Sequence, residues 1–375
     1  MGNKRKFFII SGEMSGDIHG SLLMKSMRYL EPNCSFIGIG GKKMQSEGLN
    51  SLFPLEKMSV MGFVEVFKHL LFFKGVEKKV LSVIGKEKPE QIILIDYPGF
   101  NLRIAQKIKC KFNIPVNYYI SPQIWAWKEK RIKSIRKYID QMLVIFPFEK
   151  KWYAERGIDV KWVGHPYLEE WGQIKKSELK LKLGINKNKP LLTLFPGSRK
   201  QELNNHLQLC INAAKQIQKK IADIQIILGL ADNLDISSKE IPENIIIESS
   251  NPRRALEAAD MAIVASGTST LEATIYKTPM VIIYKMNIIS WILSKILVKS
   301  KYAGMPNLIA NKMIVPELLQ SKLTADSISK EAIKIMESES RQKSILADLQ
   351  TVKESLGDGK ASLKAAKIIL RKDQE

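Results

Sequence analysis

The chain has 375 residues, which is long for a single hydrophobic core and sufficient for two domains. Its 45% hydrophobic and 26% charged content is that of a globular protein and argues against large-scale disorder. The formal net charge is +21, from 59 basic and 38 acidic residues, and this excess favours a polyanionic partner, either nucleic acid or an anionic lipid surface. A lysine-rich composition without functional meaning is the alternative interpretation.

Cysteine usage and the N-terminus bear on the compartment. Cys34, Cys110 and Cys210 lie far apart, which argues for a reducing compartment and against a zinc site or a disulfide framework. Only four apolar residues follow the basic run Lys4–Lys6, too few for a signal peptide. No apolar run approaches the roughly 18 residues that a membrane span needs. We therefore expect a cytoplasmic protein with no membrane-spanning helix, and peripheral membrane association stays open.

The first predicted strand, Phe7–Ile10, runs into the glycine-containing turn SGEMSGD and then a helix. Open α/β sheets place ligands at such turns, at the carboxyl ends of their strands. Glu13 and Asp17 could act there as acid, base or acceptor for a sugar hydroxyl, although a helix cap is the preferred interpretation of Asp17. A second strand, Ser35–Ile39, leads into a glycine-rich fragment that falls short of a dinucleotide fingerprint.

The segment Phe63–Ile84 is predicted to be a helix with a broad apolar face. Core packing and contact with acyl chains or a membrane interface are equally compatible with its aromatic residues and flanking lysines. The candidate contact residues on this face are Phe63, Val66, Phe67, Leu70 and Leu71.

The strand Gln91–Ile95 ends at Asp96, and YPGFN then opens a helix. A lone carboxylate at the carboxyl end of a central strand is well placed to act as a general base, and a cap for the turn is the alternative. The strand Val116–Ile120 leads into SPQIWAW, whose two tryptophans line a cleft or plug the end of a core. The charged run Lys128–Lys137 is predicted to be the solvated face of a helix. His165 is predicted to be a hinge residue or a hydrogen-bond partner of the backbone.

The polar, lysine-rich stretch Tyr167–Gly184 is predicted to separate two domains. The strand Leu191–Phe195 is followed by PGSR and a helix, and Met261–Val264 is followed by ASGTSTLE and a helix. Two strand–turn–helix junctions of this kind in one domain predict a site for a nucleotide diphosphate, because helix N-termini leave backbone N–H groups free for an anion. Ordinary helix capping is the alternative. The candidate ligand residues are Ser198, Arg199, Ser266, Gly267, Thr268 and Glu272, the last for a ribose.

Two later segments add candidates. Ile288–Lys301 is apolar around Trp291 but punctuated by lysines, so an interfacial segment and a core segment are equally compatible with it. Asn307 follows in a proline turn and is a plausible polar contact for a ligand. From Thr324 onward the chain is predicted to be helical and strongly charged.

Taken together, the motifs closely resemble those of the lipid-A-disaccharide synthase family of bacterial glycosyltransferases. They occur in family order between Ser11 and Ala310. The segments SPQIWAW and ASGTSTLE are highly specific for this family. The motifs are SGEMSGD, GGKKMQSEG, MGFVEV, IDYPGFN, SPQIWAWKEKR, PFEKKWY, VGHP, PGSRKQE, ASGTSTLE, PMVIIYKM and MPNLIA.

The resemblance implies an α/β protein of the GT-B fold, with two Rossmann-like parallel-sheet domains facing across a cleft and a C-terminal helix crossing back to the first. The expected boundaries are 1–166 for the acceptor and acyl-binding domain, 167–349 for the UDP-binding domain and 350–375 for the returning helix. Some family members exchange C-terminal segments in dimers, so the resemblance leaves a homodimer possible, and the sequence does not show whether this chain forms one.

The implied reaction transfers 2,3-diacylglucosamine from UDP to the 6-hydroxyl of 2,3-diacylglucosamine 1-phosphate, with inversion. By family position Asp96 is the base and Glu13 assists, while Ser198, Arg199, Ser266, Gly267, Thr268, Glu272 and Asn307 hold UDP. No metal and no cofactor are expected. Many relatives carry a second acid where this chain has Gly99, so a base in this motif has to be Asp96. The lipid substrates imply peripheral attachment to the cytoplasmic face of the inner membrane, an anionic surface.

Two alternatives remain at this stage. Another GT-B enzyme, such as a UDP-sugar epimerase or the muramyl-lipid N-acetylglucosaminyltransferase, would share the phosphate turns but not SPQIWAW or IDYPGFN. A nucleic-acid-binding protein is suggested only by the net charge, because the basic residues are scattered and no recognised RNA or DNA module is present.

Overall fold

A computed structural model describes residues 5–55, 58, 66–169, 174–231, 234, 236, 239–287, 291 and 300–372. The chain forms two compact units. The first comprises Met1–Glu170 together with Leu356–Glu375, and the second comprises Trp171–Ser355.

The first unit is built on a seven-stranded sheet in the order β3-β2-β1-β4-β5-β6-β7, and every paired neighbour is parallel. Its strands are β1 Arg5–Ser11, β2 Cys34–Ile39, β3 Leu49–Ser51, β4 Gln91–Ile95, β5 Val116–Tyr119, β6 Gln141–Val144 and β7 Lys161–Trp162. Its helices are α1 Met14–Leu30, α2 Lys42–Ser46, α3 Val66–Glu87, α4 Pro98–Phe112, α5 Ile132–Tyr138 and α6 Pro147–Ala154.

The central strands β1 and β4 read as nearly continuous apolar runs because helices cover both faces of a parallel sheet. The register pairs Ser11 with Ile95, so both strands end at the same level. The residues that follow them, Glu13 and Asp96, therefore lie at one carboxyl edge of the sheet.

Asp17 is a cap, as expected, but of a different helix from its own. Its carboxylate accepts hydrogen bonds from the backbone N–H groups of Gly41 at 2.7 Å, Lys43 at 3.0 Å and Met44 at 3.0 Å, at the start of α2. A buried carboxylate at a helix N-terminus is stabilised by these donors and by the helix dipole. Asp17 thus joins α1 to α2 and has a structural role.

The C-terminal helix Ala361–Leu370 packs against α1 in the first unit. Gly164 and Gly357 are in close backbone contact where the chain returns to this unit, with φ of +91° and +115°. A Cβ atom on Gly357 would lie 3.1 Å from the Cα of Gly164. The N–H of His165 donates to the carbonyl of Leu356 at 2.7 Å. His165 is therefore a backbone partner, as expected, and burial lowers the pKa of its imidazole to about 3, so the ring is neutral.

The second unit contains a six-stranded parallel sheet in the order β10-β9-β8-β11-β12-β13. Its strands are β8 Leu191–Phe195, β9 Gln225–Gly229, β10 Ile245–Glu248, β11 Met261–Ala265, β12 Met280–Tyr284 and β13 Glu317–Leu319. Its helices are α7 Lys176–Lys182, α8 Lys200–Gln218, α9 Pro252–Ala258, α10 Thr268–Ile275, Met305–Ala310, Ala325–Glu337 and Glu339–Ser355. Two parallel sheets with intervening helices confirm the predicted α/β class.

The candidate acyl contacts lie mostly outside the described side chains. Phe63 lies outside the described residues, and α3 is described as backbone alone across Val66, Phe67, Leu70 and Leu71. Trp291 is partly buried, while most of the segment around it lies outside the described residues. No helix in the described part of the chain is long and apolar enough to cross a membrane.

Candidate functional site

Asp96 occupies a conformation that the chain holds by several bonds. It and Tyr97 both have left-handed backbones, with φ of +43° and +48°, which is costly for residues other than glycine. The carbonyl of Asp96 accepts hydrogen bonds from Asn101 Nδ2 at 2.7 Å and from the Tyr118 hydroxyl at 2.5 Å, and its N–H donates to the Tyr119 carbonyl at 3.1 Å. These contacts fix the turn that places the carboxyl group just beyond the end of β4.

The environment of Asp96 favours the neutral, protonated form of its carboxyl group. Loss of solvent around the carboxyl group, followed by the negative charge of Glu13, raises the pKa of Asp96 to about 7. Glu13 is exposed and begins α1 in an extended conformation. A carboxyl group that titrates near pH 7 can accept a proton in one step and lose it in the next, which is what a general base requires.

Tyr97 connects the turn after β1 with the turn after β4. A Cβ atom on Gly12 would lie 2.3 Å from a ring carbon of Tyr97, so the ring packs directly on the Gly12 backbone. The hydroxyl group of Tyr97 donates to the Met58 carbonyl at 3.0 Å. Glycine at position 12 is therefore required by close packing beside Glu13 and Asp96.

The loop after β5, residues 121–127, is called the tryptophan loop. Its first tryptophan, Trp125, is hydrogen-bonded to the protein, and its second, Trp127, is exposed. Trp125 Nε1 donates at 3.2 Å to the buried carboxyl group of Glu149, which also accepts from the backbone N–H groups of Ile145 and Phe146. Burial raises the pKa of Glu149 to about 7. Trp127, in contrast, is 45% exposed.

In the second unit, the turn after β11 presents backbone donors. Ser266 is fixed by its N–H on the Ile283 carbonyl at 2.9 Å and by its hydroxyl on the Ala303 carbonyl at 2.6 Å. Gly267 has φ +146°, and a Cβ atom there would meet nothing within 4 Å, so the turn faces open space. Within the described chain, the N–H groups of Thr268 and Ser269 at the start of α10 have no acceptor. This is the geometry of an anion site at a helix N-terminus.

The turn after the neighbouring strand β8 is occupied by a side chain of the protein itself. The N–H groups of Ser198 and Arg199 donate to Glu202 Oε2 at 3.0 and 3.3 Å, and Arg199 Nη1 lies 3.3 Å from Glu202 Oε1. This arrangement is a capping box at the start of α8. The Arg199 side chain is 72% exposed, so its guanidinium group is the accessible donor of this turn.

Glu272 and Asn307 are buried in the second unit and engaged in its fold. Glu272 Oε1 lies 3.0 Å from Arg253 Nε in an ion pair. Asn307 Nδ2 donates to the Val315 carbonyl and to Glu317 Oε1, both at 2.8 Å, and its Oδ1 accepts from two backbone N–H groups. All four hydrogen-bonding positions of the Asn307 amide are used, so a ligand contact from its side chain would replace one of these bonds.

The structure brings Glu13 and Asp96 together at one sheet edge, and it places Ser266, Gly267 and Thr268 in one turn. The residues that hold these turns were not among the predicted site residues; they are Asn101, Tyr118 and Glu202. Asn101 belongs to the YPGFN motif, so its place in this turn was predictable. Glu202 lies three residues after Arg199, the spacing of a capping box, so its capping role was also predictable. Among the described residues, no group of three or more His, Cys, Asp or Glu side chains could hold a metal ion.

Comparison with known proteins gives consistent matches over nearly the whole chain. The family model described as lipid-A-disaccharide synthetase matches residues 7–370. Lipid-A-disaccharide synthase 1 of Legionella pneumophila is 35% identical over 96% of this chain and 96% of its own length. The Coxiella burnetii lipid-A-disaccharide synthase is 36% identical over 98% of each chain, and that of Myxococcus xanthus is 33% identical over 99% of this chain and 98% of its own.

Solved structures share the fold at low sequence identity. UDP-GlcNAc 2-epimerase from Neisseria meningitidis, bound to UDP-GlcNAc, superposes with a TM-score of 0.69 and 11% identity, covering 98% of this chain and 100% of that one. The calicheamicin glycosyltransferase CalG4 has a TM-score of 0.61 and 12% identity over 98% of each chain. These likenesses place the chain among the GT-B glycosyltransferases and epimerases by fold.

Proposed function

The chain belongs to the lipid-A-disaccharide synthase family, and we propose that it transfers 2,3-diacylglucosamine from UDP to 2,3-diacylglucosamine 1-phosphate. The products are the β(1→6) disaccharide 1-phosphate and UDP. The observation that carries the proposed mechanism is the Asp96 carboxyl group, held at a strand end with its pKa raised to about 7 by burial and by Glu13.

The reaction is a single displacement with inversion. The acceptor 6-oxygen attacks the anomeric carbon of the donor sugar while Asp96 removes the hydroxyl proton. The bond between the anomeric carbon and the diphosphate oxygen breaks, and UDP departs with the electron pair. Glu13 keeps the affinity of Asp96 for the proton high and orients the acceptor. The proton then leaves Asp96 for solvent, which restores the base.

The second unit binds UDP. The open N–H group of Thr268 and the uncrowded backbone at Gly267 receive the diphosphate. The positive end of the α10 dipole stabilises the charge that develops on it. Arg199 adds an exposed guanidinium group, which suits bidentate phosphate contact. Ser266 and Ser198 shape their turns.

Two buried residues complete the proposed nucleotide site. Glu272 lies one turn into α10, where its carboxylate accepts from the ribose hydroxyls while Arg253 stays paired with it. Asn307 supports the site by holding the helix Met305–Ala310 to the chain at Val315.

Acylated substrates require work at a lipid surface. The α3 segment and the region of Trp291 would receive acyl chains, and the net positive charge suits an anionic leaflet. The proposed location is therefore the cytoplasmic face of the inner membrane, with peripheral attachment. A homodimer is part of the same proposal, and light scattering in detergent would check it.

The deciding experiment is a transfer assay with both lipid substrates in detergent micelles, without added metal. Disaccharide phosphate that forms together with an equal amount of UDP supports the proposal. Release of UDP without disaccharide would indicate a different acceptor. If UDP is neither bound nor released, the assignment of the phosphate turns is wrong.

A further inference from the structure

A strongly basic surface follows the tryptophan loop in the first unit. Between Lys128 and Lys137 the chain has six basic residues and one acidic residue, Glu129. Ile135 is buried and turns one side of α5 toward the core. Lys130, Lys133 and Lys137 are exposed and follow the spacing of one helix face.

The cations of this surface differ from those of the neighbouring helix α4. On α4, Arg103 and Lys107 both pair with the buried Glu77, and Lys109 pairs with Asp140. The basic residues of α4 are thus largely neutralised within the fold.

On α5 and in the helical turn Glu129–Arg131 before it, the charge is left available. Lys130, Lys133 and Lys137 have no carboxylate within ion-pair distance in the described part of the chain. The one acidic residue of the segment, Glu129, is itself paired with Arg156 at 2.8 Å. The face therefore presents uncompensated positive charge to solvent.

An exposed aromatic side chain borders this charge. Trp127 is 45% exposed, and Lys128 Nζ lies 4.1 Å from its ring centroid. A tryptophan beside lysines is typical of side chains that sit at the level of lipid headgroups, because the indole is both apolar and a hydrogen-bond donor.

The loop that carries Trp127 is firmly held. Trp125 is bonded to Glu149, and the Ser121 hydroxyl lies 2.7 Å from the Tyr153 hydroxyl. The loop leaves the carboxyl end of β5, directly beside β4 and Asp96. The surface therefore follows the strand next to the one that carries the proposed base.

We propose that Trp127 with Lys128, Lys130, Lys133 and Lys137 forms a docking surface for the anionic headgroups of a lipid bilayer. It binds the membrane beside the edge of the sheet where the acceptor is activated. The choice of a lipid partner rests on the proposed function, since a nucleic acid would also be attracted by this charge. This surface is separate from the candidate acyl contacts on α3.

The test compares vesicle binding of the full chain with that of the triple variant Lys130→Gln, Lys133→Gln and Lys137→Gln. Vesicles of phosphatidylcholine with phosphatidylglycerol are used beside vesicles of phosphatidylcholine alone. Each lysine near an anionic surface contributes about a fivefold gain in binding, so we expect the triple variant to bind anionic vesicles on the order of 100-fold more weakly. Trp127→Ala should weaken binding to both kinds of vesicle.

A matched control removes the same charge elsewhere. Lys215, Lys219 and Lys220 are exposed at the end of α8 in the second unit, and changing all three to Gln should leave vesicle binding within about threefold of wild type, because charge outside the surface acts only through the screened long-range field. Equal losses in both triple variants would mean that net charge alone governs binding, and the proposal would be wrong.

Two further readouts separate this proposal from the proposed function. Transfer between detergent-dispersed substrates should be unchanged in the triple variant of Lys130, Lys133 and Lys137. A large loss of transfer activity in that variant would assign the surface to a substrate site instead. Duplex DNA binding is measured at the same salt concentration. If the variant lost DNA binding but kept vesicle binding, the partner would be a nucleic acid. A wild-type protein that binds vesicles through this surface but has no transferase activity would refute the proposed function alone.

Discussion

The two sheets present opposite chemical groups at the same kind of strand–turn–helix junction. At the carboxyl edge of the first sheet, the turns carry Glu13 and Asp96, and burial together with like charge raises the pKa of Asp96 to about 7. At the carboxyl edge of the second sheet, the turn at Gly267 presents backbone N–H groups and a helix dipole. The fold supplies the position, and a few side chains decide whether that position presents a carboxyl group or backbone N–H donors.

The largest effect should come from Asp96→Asn, which removes the proposed base and leaves the second sheet untouched. Asparagine tolerates the left-handed backbone at this position, so the turn should survive. We expect kcat to fall by about 10²–10⁴-fold, the usual contribution of a general base. The dissociation constant of UDP, measured by calorimetry, should change less than threefold.

The matched control is Asp159→Asn, which removes an exposed carboxylate just before β7, at the amino end of that strand and not at the carboxyl edge of the sheet. It should leave kcat unchanged. Near-full turnover of a folded Asp96→Asn variant would show that the first edge does not supply the base.

The next largest effect should come from Gly267→Ala, which addresses the second edge. A Cβ atom has space there, but φ of +146° is unfavourable for alanine. Backbone strain of this kind costs about 1–3 kcal/mol, and the free turn escapes it by relaxing out of the conformation that receives the diphosphate, so UDP should bind roughly tenfold more weakly. The pH dependence of kcat should keep its midpoint.

Gly184→Ala is a suitable comparison, because Gly184 also has positive φ and open space at its Cβ but lies between α7 and β8. It should lower the melting temperature without weakening UDP binding. If Gly267→Ala bound UDP normally, the diphosphate would have to lie elsewhere.

The pH dependence sharpens the same contrast. The proposed base Asp96 can accept a proton only when it is ionised, so kcat/KM should rise as the pH increases through about 7. Glu13 raises the pKa of Asp96, and Glu13→Gln should therefore move the midpoint to lower pH while reducing the maximum rate. An upward shift, or no shift, would contradict the electrostatic link between the two carboxyl groups. The affinity for UDP should depend neither on the ionisation of Asp96 nor on the Glu13→Gln substitution.

The sequence was sufficient to predict both sheets and the turns at Asp96 and Gly267, because buried parallel strands are apolar runs and their ends carry glycine and polar residues. It did not predict the left-handed backbone of Asp96, since the hydroxyl of Tyr118 that stabilises it comes from the next strand. Nor did it predict the full engagement of Asn307, whose partners lie in the chain after its helix. Such contacts depend on tertiary packing, which local pattern does not encode.

The smallest predicted effect tests whether the PGSR turn or the turn at Gly267 holds the diphosphate. Glu202 occupies the N–H groups of Ser198 and Arg199, and Glu202→Gln weakens this cap. Loss of a cap costs about 1 kcal/mol, which lowers the melting temperature of a unit of this size by roughly 2–4 °C. UDP affinity should change less than threefold if the diphosphate binds at Gly267. Thr324→Ala, which breaks another capping box in the same unit, is the control and should give the same thermal loss. A tenfold change in UDP affinity confined to Glu202→Gln would instead place the diphosphate at the PGSR turn, because only there does Glu202 compete for the same donors.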